Sequence, residues 1–332
     1  MNPEIVRPNL VGLGEVLWDV FPDAAHFGGA PANFACHAAG LGGDAWVVSA
    51  VGRDKLGDEA LASLSAKNVH TLLLQRNDHP TGTVTVTLDA AKQASYVFAA
   101  DPAWDHVAWN GSLALLAKKC KAVCFGSLAQ RAPESRRTVR EFLENTSADC
   151  LRIFDVNLRQ NFFSREIIES SLGFANVFKL NDDEVPVVAD LLGLPKDEKA
   201  FVLAAAQRFD LHTVALTRGS AGSLVWHKGQ YDEKTAPKVA VVDTVGAGDM
   251  VVAAFSAARA SGASIAECCE FANLCAHISI HKIGETGAAS PEEIEKLPLK
   301  HEARRNSNLV ILRNVVSEME MPIFNKVENI IT

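Results

Sequence analysis

A glycine-rich turn with a carboxylate behind it is the most chemically informative feature of this sequence. The turn is DTVGAGD, residues 243–249, and it separates a β-branched run, KVAVVD, from an apolar run, MVVAAFSAARASG. The first run predicts a strand and the second a buried helix, so Asp249 would lie in the first helical turn. Because glycines leave backbone N–H groups uncovered at a helix start, Gly246, Ala247 and Gly248 predict an anion site suited to a phosphoryl group.

Asp249 adds a base to that anion site. A carboxyl group with an ordinary pKa of about 3.9 is ionised at neutral pH. It can take the proton from a substrate hydroxyl that attacks a bound phosphorus atom. The alternative is structural, because aspartate also caps the start of many core helices. The motif alone leaves the two interpretations equally open.

A second glycine-rich turn, GGAPAN at residues 28–33, leads into the helical run FACHAAGLG. Its proline fits an early helical position, which places Asn33 in the first turn and facing outward. Together with Asp19, which follows the first strand, Asn33 offers the amide and the acceptor that hold vicinal hydroxyls of a polyol. A structural turn with a helix cap is the alternative, and it is favoured for this turn taken alone.

Polar residues also follow other predicted strands. In DVNLR, residues 155–159, Arg159 could contact phosphate oxygens and Asn157 could hold a sugar or the backbone, because open α/β sheets bind ligands at strand ends. An Asx turn that stabilises the loop is the alternative. After the next strand, Asn181 and Glu184 could orient water ligands of Mg²⁺, although a cap at a helix start explains them equally well.

The turn in LTRGSAGS allows close approach to the backbone. Thr217, Gly219 and Gly222 could admit a nucleotide there, but a simple hairpin turn is the favoured interpretation of this segment alone. Two common nucleotide motifs are absent. There is no GxxxxGK[ST] phosphate loop, and the segment that begins at Gly12 has Leu17 where a dinucleotide fingerprint needs its third glycine. A Rossmann oxidoreductase is therefore disfavoured.

Alternating strands and helices must position these residues. Strand-like runs at 10–14, 45–51, 122–125, 152–155, 176–180 and 213–217 alternate with helical patterns at 55–67, 133–145, 183–192 and 197–209. This alternation predicts a parallel sheet covered by helices. Segment 80–100 interrupts it, because valines alternate with threonines in TGTVTVTLD. That pattern predicts a half-buried hairpin that covers one end of the sheet as a lid and can pair with a second copy.

Composition excludes several classes of protein. The chain has 332 residues, 48% of them hydrophobic, which is enough for a large core. Its net charge of −8 gives no basic surface for nucleic acid. The N-terminal residues lack a signal layout and no apolar run reaches the roughly 18 residues of a membrane span, so we expect a cytoplasmic protein. Seven cysteines without a CxxC pair predict buried free thiols.

Two separated motifs carry a family resemblance. GGAPANFACHAAGLGGDAWVVSAVGRDKLGD near the start and DTVGAGDMVVAAF near the end resemble the signature regions of the PfkB, or ribokinase-like, carbohydrate kinases. The resemblance runs from about residue 10 to about residue 291. GEVLWDVFPD, PTGTVTVTLD, DPAWDHV, FGSLAQR and DVNLR look more like bacterial and plant fructokinases than like ribokinases.

This resemblance implies an α/β fold, a ribokinase-like three-layer α/β/α core with a mostly parallel sheet, over residues 1–300. A small β lid would come from about 15–28 and 80–104, and 301–332 would be a C-terminal extension without an assigned role. The resemblance also implies ATP as phosphoryl donor, Mg²⁺, a monovalent cation such as K⁺, and a homodimer formed through the lids.

Roles carry over from the resemblance position by position. Asp249 matches the catalytic base, and the backbone of Gly246, Ala247 and Gly248 matches the anion hole; Arg159 matches the arginine of the DxNxR element. The positions that match sugar contacts are Asp19, Gly28, Gly29, Asn33 and Asn157. Those that match nucleotide or magnesium contacts are Asn181, Glu184, Thr217, Gly219, Gly222 and Asn273. The monovalent cation would be held by Asp243, Val245 and Ser290.

The implied activity is ATP-dependent phosphorylation of a free ketohexose, with fructose as the first expectation. The alternatives are 2-keto-3-deoxygluconate or another sugar or nucleoside as substrate of the same kind of kinase. A sugar-binding protein with a dead kinase site is disfavoured, because it would be expected to have lost Asp249 or its glycines.

Overall fold

Three β-sheets and nine α-helices make up the part of the chain that the computed structural model describes, residues 7–88, 94–235 and 246–279. The strands are β1 (Asn9–Leu13), β2 (Leu17–Val20), β3 (Ala25–Gly28), β4 (Asp44–Val48), β5 (Ala50–Gly52), β6 (Gln75–Asn77), β7 (Gly82–Leu88), β8 (Ala94–Phe98), β9 (Ala122–Phe125), β10 (Leu151–Asp155), β11 (Val177–Asn181), β12 (Thr213–Thr217), β13 (Ser223–His227) and β14 (Gln230–Lys234). The helices are α1 (Ala30–Gly40), α2 (Lys55–Ala66), α3 (Gly111–Lys119), α4 (Pro133–Glu144), α5 (Arg165–Phe174), α6 (Glu184–Leu192), α7 (Glu198–Arg208), α8 (Ala247–Ala260) and α9 (Ile265–Ser279).

The main sheet has eight strands in the order β14-β13-β12-β11-β10-β9-β1-β4. All neighbouring pairs from β12 to β4 are parallel, and β13 and β14 are added antiparallel. The predicted mostly parallel sheet is therefore confirmed. Its parallel strands end at one edge, which is where open α/β sheets bind ligands.

One predicted strand is wrong in extent. The run 45–51 is two strands, β4 in the main sheet and β5 in a separate two-stranded sheet with β6. The chain changes partners at Ser49, whose carbonyl oxygen accepts a hydrogen bond from the N–H of Gln75 at 2.9 Å. The apolar pattern is continuous across this point, so no local signal marks the change of pairing partner.

Helices cover both faces of the main sheet and complete three layers. One face packs against α1, α8 and α9, with Phe34 and Phe271 in that part of the core. The other face packs against α3 to α7. On this side a row of phenylalanines crosses three strands and reaches α7, with ring centroids 5.4 to 6.5 Å apart: Phe125, Phe154, Phe178 and Phe201.

A second sheet has four strands in the order β3-β2-β7-β8. β7 and β8 form the expected antiparallel hairpin. Val84 and Val86 are buried while Thr85 and Thr87 are exposed, as the alternating pattern predicts. The indole N–H of Trp18, on β2, donates to the carbonyl oxygen of Leu56 at 3.1 Å and so fastens this small sheet to α2.

The seven cysteines are buried and free, as expected. Burial raises the pKa of several of these thiols, including Cys36 and Cys275, which keeps them protonated. Within the described ranges, no helix is both long and apolar enough to cross a lipid bilayer.

Candidate active site

A cavity of about 570 Å³ lies between the small sheet and the edge of the main sheet where its parallel strands end. The main-sheet side is formed by residues that follow β1 and β10 and by the first turns of α1 and α8. The small sheet contributes the opposite wall, with Leu17, Asp19, Val84, Val86, Tyr96 and Phe98. The predicted sugar residues Asp19, Gly29, Asn33 and Asn157 all line this one cavity.

Asp249 and Asn33 meet in this cavity. The Nδ2 group of Asn33 donates to Oδ2 of Asp249 at 2.9 Å, so the first turns of α1 and α8 are joined by their side chains. Gly246 is the N-cap of α8, with φ of 76° and no side-chain cap bond, so the alternative of an aspartate N-cap at 249 is wrong. The expectation that Asn33 faces outward is also wrong. Asn33 is only 2% exposed, because α1 packs against α8 at this point.

Gly29 is the N-cap of α1 and has a φ of 105°, a backbone angle that residues with a side chain rarely adopt. A Cβ at this position would lie 2.6 Å from the carbonyl oxygen of Glu15. The glycine therefore permits the close approach of the turn to the residue that follows β1. Gly28 pairs with Leu17 in the small sheet and connects this turn to the cavity wall.

Glu15 lines the cavity and was not predicted as a site residue. It is 2% exposed, and its Oε2 atom has no hydrogen-bond partner among the described residues. Burial raises the pKa of this carboxyl group from 4.5 to about 7, and the nearby charge of Asp249 acts in the same direction. Arg159 and backbone N–H groups, including that of Ala30, partly oppose the rise in pKa.

The loop after β10 brings Arg159 and Asn157 to the cavity, as predicted. Asn157 and Gln160 have φ of 41° and 46°, so the loop holds two residues in the left-handed region. The Nε2 group of Gln160 donates to the carbonyl oxygen of Tyr96 at 2.5 Å. This bond connects the loop to β8 of the small sheet.

A buried ion pair lies behind the start of α8. Lys179 Nζ contacts both carboxyl oxygens of Asp155, at 2.9 and 3.0 Å, and the two side chains are 9% and 4% exposed. Although burial lowers it, the charges of Asp155, Glu184 and Asp249 raise the pKa of Lys179 to about 12. A Cβ at Gly248 would lie 3.2 Å from Lys179 Nζ, so this glycine lets the ammonium group approach the turn.

Asn181 and Glu184 form a cap at the start of α6, which was the structural alternative to a role in binding Mg²⁺. The N–H of Glu184 donates to Asn181 Oδ1 at 2.9 Å, and the N–H of Asn181 donates to Glu184 Oε2 at 2.8 Å. Glu184 Oε1 accepts the N–H of Leu158 at 2.8 Å and so positions the loop that carries Arg159. Burial raises the pKa of Glu184, although Lys179 opposes the rise. Their role toward Mg²⁺ stays a prediction.

The predicted nucleotide positions lie apart from the main cavity. Thr217, Gly219 and Gly222 belong to the β12–β13 hairpin and its turn, as favoured from the sequence. Thr217 and Asn273 line a smaller cavity of about 30 Å³ between the main sheet and α8 and α9. Lys179 also lines this smaller cavity, so the ion pair lies beside the α8 start and the nucleotide positions.

Three predicted cation residues, Asp243, Val245 and Ser290, lie outside the described residues. Two residues of the site were missed, Glu15 and Lys179. Lys179 left a signal, because it is the single charge in the largely buried strand VFKLN. Glu15 left little signal, because a glutamate after a strand is usually solvated.

The fold and the site together define a class of protein. A parallel α/β sheet presents an aspartate beside an uncapped helix start, in a cavity walled by a second sheet, which suits phosphoryl transfer between small molecules. The chain belongs to the pfkB family of carbohydrate kinases, whose family model matches residues 15–293. It is therefore a sugar kinase of the phosphotransferase class.

Similar proteins agree with this assignment. The fructokinase of Salmonella typhimurium is 30% identical over 263 residues, which cover 75% of this chain and 83% of that protein. An uncharacterized sugar kinase from Pyrococcus horikoshii, solved in complex with ATP, has a TM-score of 0.75 at 26% identity and covers 90% of this chain and 99% of that chain. Fructokinase from Xylella fastidiosa, with bound ATP, shares the fold with a TM-score of 0.77 at 21% identity, over 87% and 98% of the two chains.

Proposed function

We propose that this protein is an ATP-dependent fructokinase, which transfers the γ-phosphoryl group of ATP to a primary hydroxyl of free fructose. The observation that carries the proposal is the 2.9 Å bond between Asn33 and Asp249, where two helix starts meet inside the cavity. This bond joins the carboxylate of Asp249 to the side-chain amide of Asn33, which supports their proposed roles as the base and as a contact to a sugar hydroxyl. The fructokinase relative from Salmonella typhimurium supports the choice of sugar.

On the sugar side, the polar residues of the cavity have complementary roles. Asp19, on the small sheet, accepts hydrogen bonds from sugar hydroxyls. Asn33 and Asn157 contact the sugar from the opposite wall. Gly29 lines the cavity and Gly28 joins it to the small sheet, and both would contact the sugar through their backbone. Asp249 takes the proton of the attacking hydroxyl as its oxygen bonds to phosphorus.

On the phosphoryl side, the residues present fit a polyphosphate. Gly246 caps α8 without a side-chain bond, so the first N–H groups of the helix, at Ala247, Gly248 and Asp249, lack a side-chain acceptor from the cap. These groups would hold the transferred phosphoryl group, aided by the helix dipole. Arg159 lines the same cavity and supplies a cation for the phosphate oxygens.

The nucleotide would extend from the α8 start toward the smaller cavity. Thr217 and Asn273 line that cavity, and Gly219 and Gly222 shape the turn beside it with positive φ angles. Lys179 lies between the two regions, where its ammonium group is paired with Asp155 and lies close to Gly248. This arrangement supports a nucleotide that lies along the edge of the main sheet with its last phosphate at α8.

Mg²⁺ would neutralise phosphate charge during the transfer. Both carboxyl oxygens of Glu184 already accept backbone N–H bonds, so Glu184 fits contact with the ion through water and not direct ligation. Asn181 would support the same water shell through its bond to Glu184. A monovalent cation such as K⁺ would be held by Asp243, Val245 and Ser290. The family resemblance carries this part of the proposal.

The proposed assembly is a cytoplasmic homodimer joined through the small sheet. In each subunit that sheet would act as a lid over the bound sugar. The exposed Val97 on its edge strand β8 supports this part of the proposal.

The test is a panel of free sugars assayed with ATP in a coupled turnover assay, alongside thermal shifts for binding. Fructose should give the highest kcat/KM of the panel, and Asp249→Asn should abolish most turnover while retaining the thermal shift with ATP. If 2-keto-3-deoxygluconate or a nucleoside gave a higher kcat/KM than fructose, that compound and not fructose would be the substrate. Absence of turnover with every sugar would contradict catalysis itself.

A further inference from the structure

Two histidines and an aspartate meet at the root of the β7–β8 hairpin. His79 lies just before β7, Asp101 lies just after β8, and His106 lies in the short 3₁₀ turn that follows. One carboxylate joins both rings: Asp101 Oδ1 is 2.6 Å from His106 Nε2, and Asp101 Oδ2 is 3.1 Å from His79 Nδ1. These three residues are called the hairpin-root cluster below.

The two imidazole rings are stacked, with centroids 3.7 Å apart and planes inclined by 12°. One donor atom from each of the three side chains can be chosen so that all lie within 4.8 Å of one another. The side chains of His79 and His106 are 35% and 28% exposed, and that of Asp101 is 66% exposed. An ion from solvent can therefore reach the donor atoms.

The backbone around the hairpin-root cluster is fixed by contacts that do not involve it. The N–H of Ala103 donates to the carbonyl oxygen of Pro80 at 2.8 Å, which joins the two ends of the hairpin. Arg131 pairs with the buried carboxylate of Asp105 and donates to the carbonyl oxygen of Ala99 at 2.9 Å. These bonds hold the backbone that carries the cluster in place without a metal.

The donor set suits a transition metal. Two imidazoles and one carboxylate, with a position left for water, are a common ligand set of Zn²⁺. The second ring nitrogen of His106, Nδ1, lies 3.0 Å from Glu134 Oε2. A carboxylate on the far nitrogen of a ligating histidine fixes its tautomer and raises its affinity for metal.

We propose that His79, His106 and Asp101 form a binding site for a divalent transition ion of the zinc class, which clamps the two ends of the hairpin to each other. None of the three residues lines the 570 Å³ cavity, so the site is separate from the proposed substrate site and does not depend on the proposed function. A bound ion would restrict the movement of the hairpin relative to the core.

Charged neighbours shift the pKa values of two groups in the cluster. Although burial acts to lower it, hydrogen bonds with Asp101 and Glu134 raise the pKa of His106. The hydrogen bond from His106 lowers the pKa of Asp101. An imidazole binds a metal ion only in its neutral form, so a proton on the ring competes with the metal. Metal affinity should therefore fall as the pH is lowered and the imidazoles become protonated.

The test uses the full chain, treated with a chelator and dialysed, and titrated with ZnCl₂ in a calorimeter. The variants are His79→Ala, His106→Ala and Asp101→Asn. Asn suits position 101 because Asp101 has a φ of 51°, and asparagine tolerates this left-handed region of the backbone. The matched control is His70→Ala, which removes a partly exposed histidine paired with the single carboxylate of Asp44.

The wild type and His70→Ala should bind one more equivalent of Zn²⁺ than His106→Ala, and His79→Ala should weaken binding at that site by at least about tenfold. Co²⁺ should give a visible absorption band in the wild type that is lost in His106→Ala. Zn²⁺ should raise the Tm of the wild type and of His70→Ala but not that of Asp101→Asn. Equal stoichiometry and affinity in the wild type and in the three cluster variants would overturn the proposal, as would an equal loss in the His70→Ala control.

Discussion

At the residue scale, the carboxylate of Asp249 is the group on which turnover should depend most. Asp249→Asn keeps the size of the side chain and an oxygen that can accept the Asn33 bond, so the fold should be retained. We expect kcat to fall by about 10²–10⁴-fold, the effect typical of losing a general base. The measurement is coupled turnover with fructose and ATP, with the Tm as the control for folding. Wild-type turnover in a folded variant would remove Asp249 from the mechanism.

Asp19 should determine sugar affinity. It lies on the small sheet and lines the cavity, where an unpaired hydroxyl or acceptor costs about 1–3 kcal/mol. Asp19→Ala should therefore raise the KM for fructose roughly five- to hundredfold and leave the KM for ATP near its wild-type value. Asp23→Ala, in the exposed connection between β2 and β3, is the matched control. An unchanged KM for sugar together with a raised KM for ATP would show that the sugar does not bind at the Asp19 end of the cavity.

Glu15 should make the stability of the protein depend on pH. Its pKa is raised from 4.5 in the ordinary state to about 7 in the fold, so the folded state binds the proton more tightly. The resulting stabilisation is complete below about pH 4.5 and is lost as the pH rises through about 7. Glu15→Gln should flatten the fall in unfolding free energy between about pH 5 and about pH 8, by up to about 3 kcal/mol. Identical pH profiles of the two proteins in chemical denaturation would contradict this.

These residues also show what could be predicted from the sequence at this scale. The sequence predicts Asp249 in the first turn of α8, because glycines, a β-branched run and an apolar run are local signals. The bond from Asn33 to Asp249 joins residues 216 positions apart, so no local pattern contains it. The pKa shift of Glu15 arises from burial by other elements, which a sequence window does not show.

At the element scale, the ends of several helices could be predicted because capping is local. The pattern at 133–145 ends within a residue of α4, and that at 197–209 brackets α7, which begins after the cap residue Asp197. The division of 45–51 into β4 and β5 could not be predicted, because it depends on pairing with β6, which lies more than twenty residues further along the chain. Register and partner choice are tertiary properties.

The ion pair between β10 and β11 should be a strong element-scale determinant of stability. Lys179→Met would leave the Asp155 carboxylate buried without its partner, at a cost of about 3–5 kcal/mol. The double variant Lys179→Met with Asp155→Leu should recover most of that loss, because well-packed apolar residues replace a buried pair at little cost. Urea denaturation of the wild type and the two variants measures both effects. A single variant as stable as the wild type would show that the pair contributes nothing.

At the scale of the whole molecule, the alternation of strands and helices predicted a parallel sheet covered by helices, and the family resemblance added the three layers. The small sheet was only partly predictable. Its hairpin left a period-two signal, but its order, β3-β2-β7-β8, depends on the parallel pairing of β2 with β7. That pairing brings Asp19 and Val84 to one cavity wall from distant parts of the sequence.

The small sheet has two different faces. One supports the prediction of a lid over the sugar, and the other supports the prediction of a contact with a second copy. Val84, Val86 and Phe98 face the cavity, whereas Thr85 and its partner Val97 lie on the opposite face. Val97, on the edge strand β8, is an apolar side chain that is 59% exposed on this opposite face. The cavity face would exclude water from the sugar, and the opposite face would contact a second copy.

Removing the β7–β8 hairpin should therefore change two measurable properties. Replacing residues 83–98 with a short Gly-Ser linker should raise ATP hydrolysis relative to sugar phosphorylation, because water reaches the phosphoryl group. The same variant should move from dimer to monomer in light scattering. Val97→Glu should affect only the second property, since it changes the outer face and leaves the cavity wall intact, and Leu72→Glu, at a residue 85% exposed elsewhere, should affect neither. A hairpin deletion that stays dimeric would exclude the dimer contact, and unchanged partitioning between sugar and water would exclude the lid.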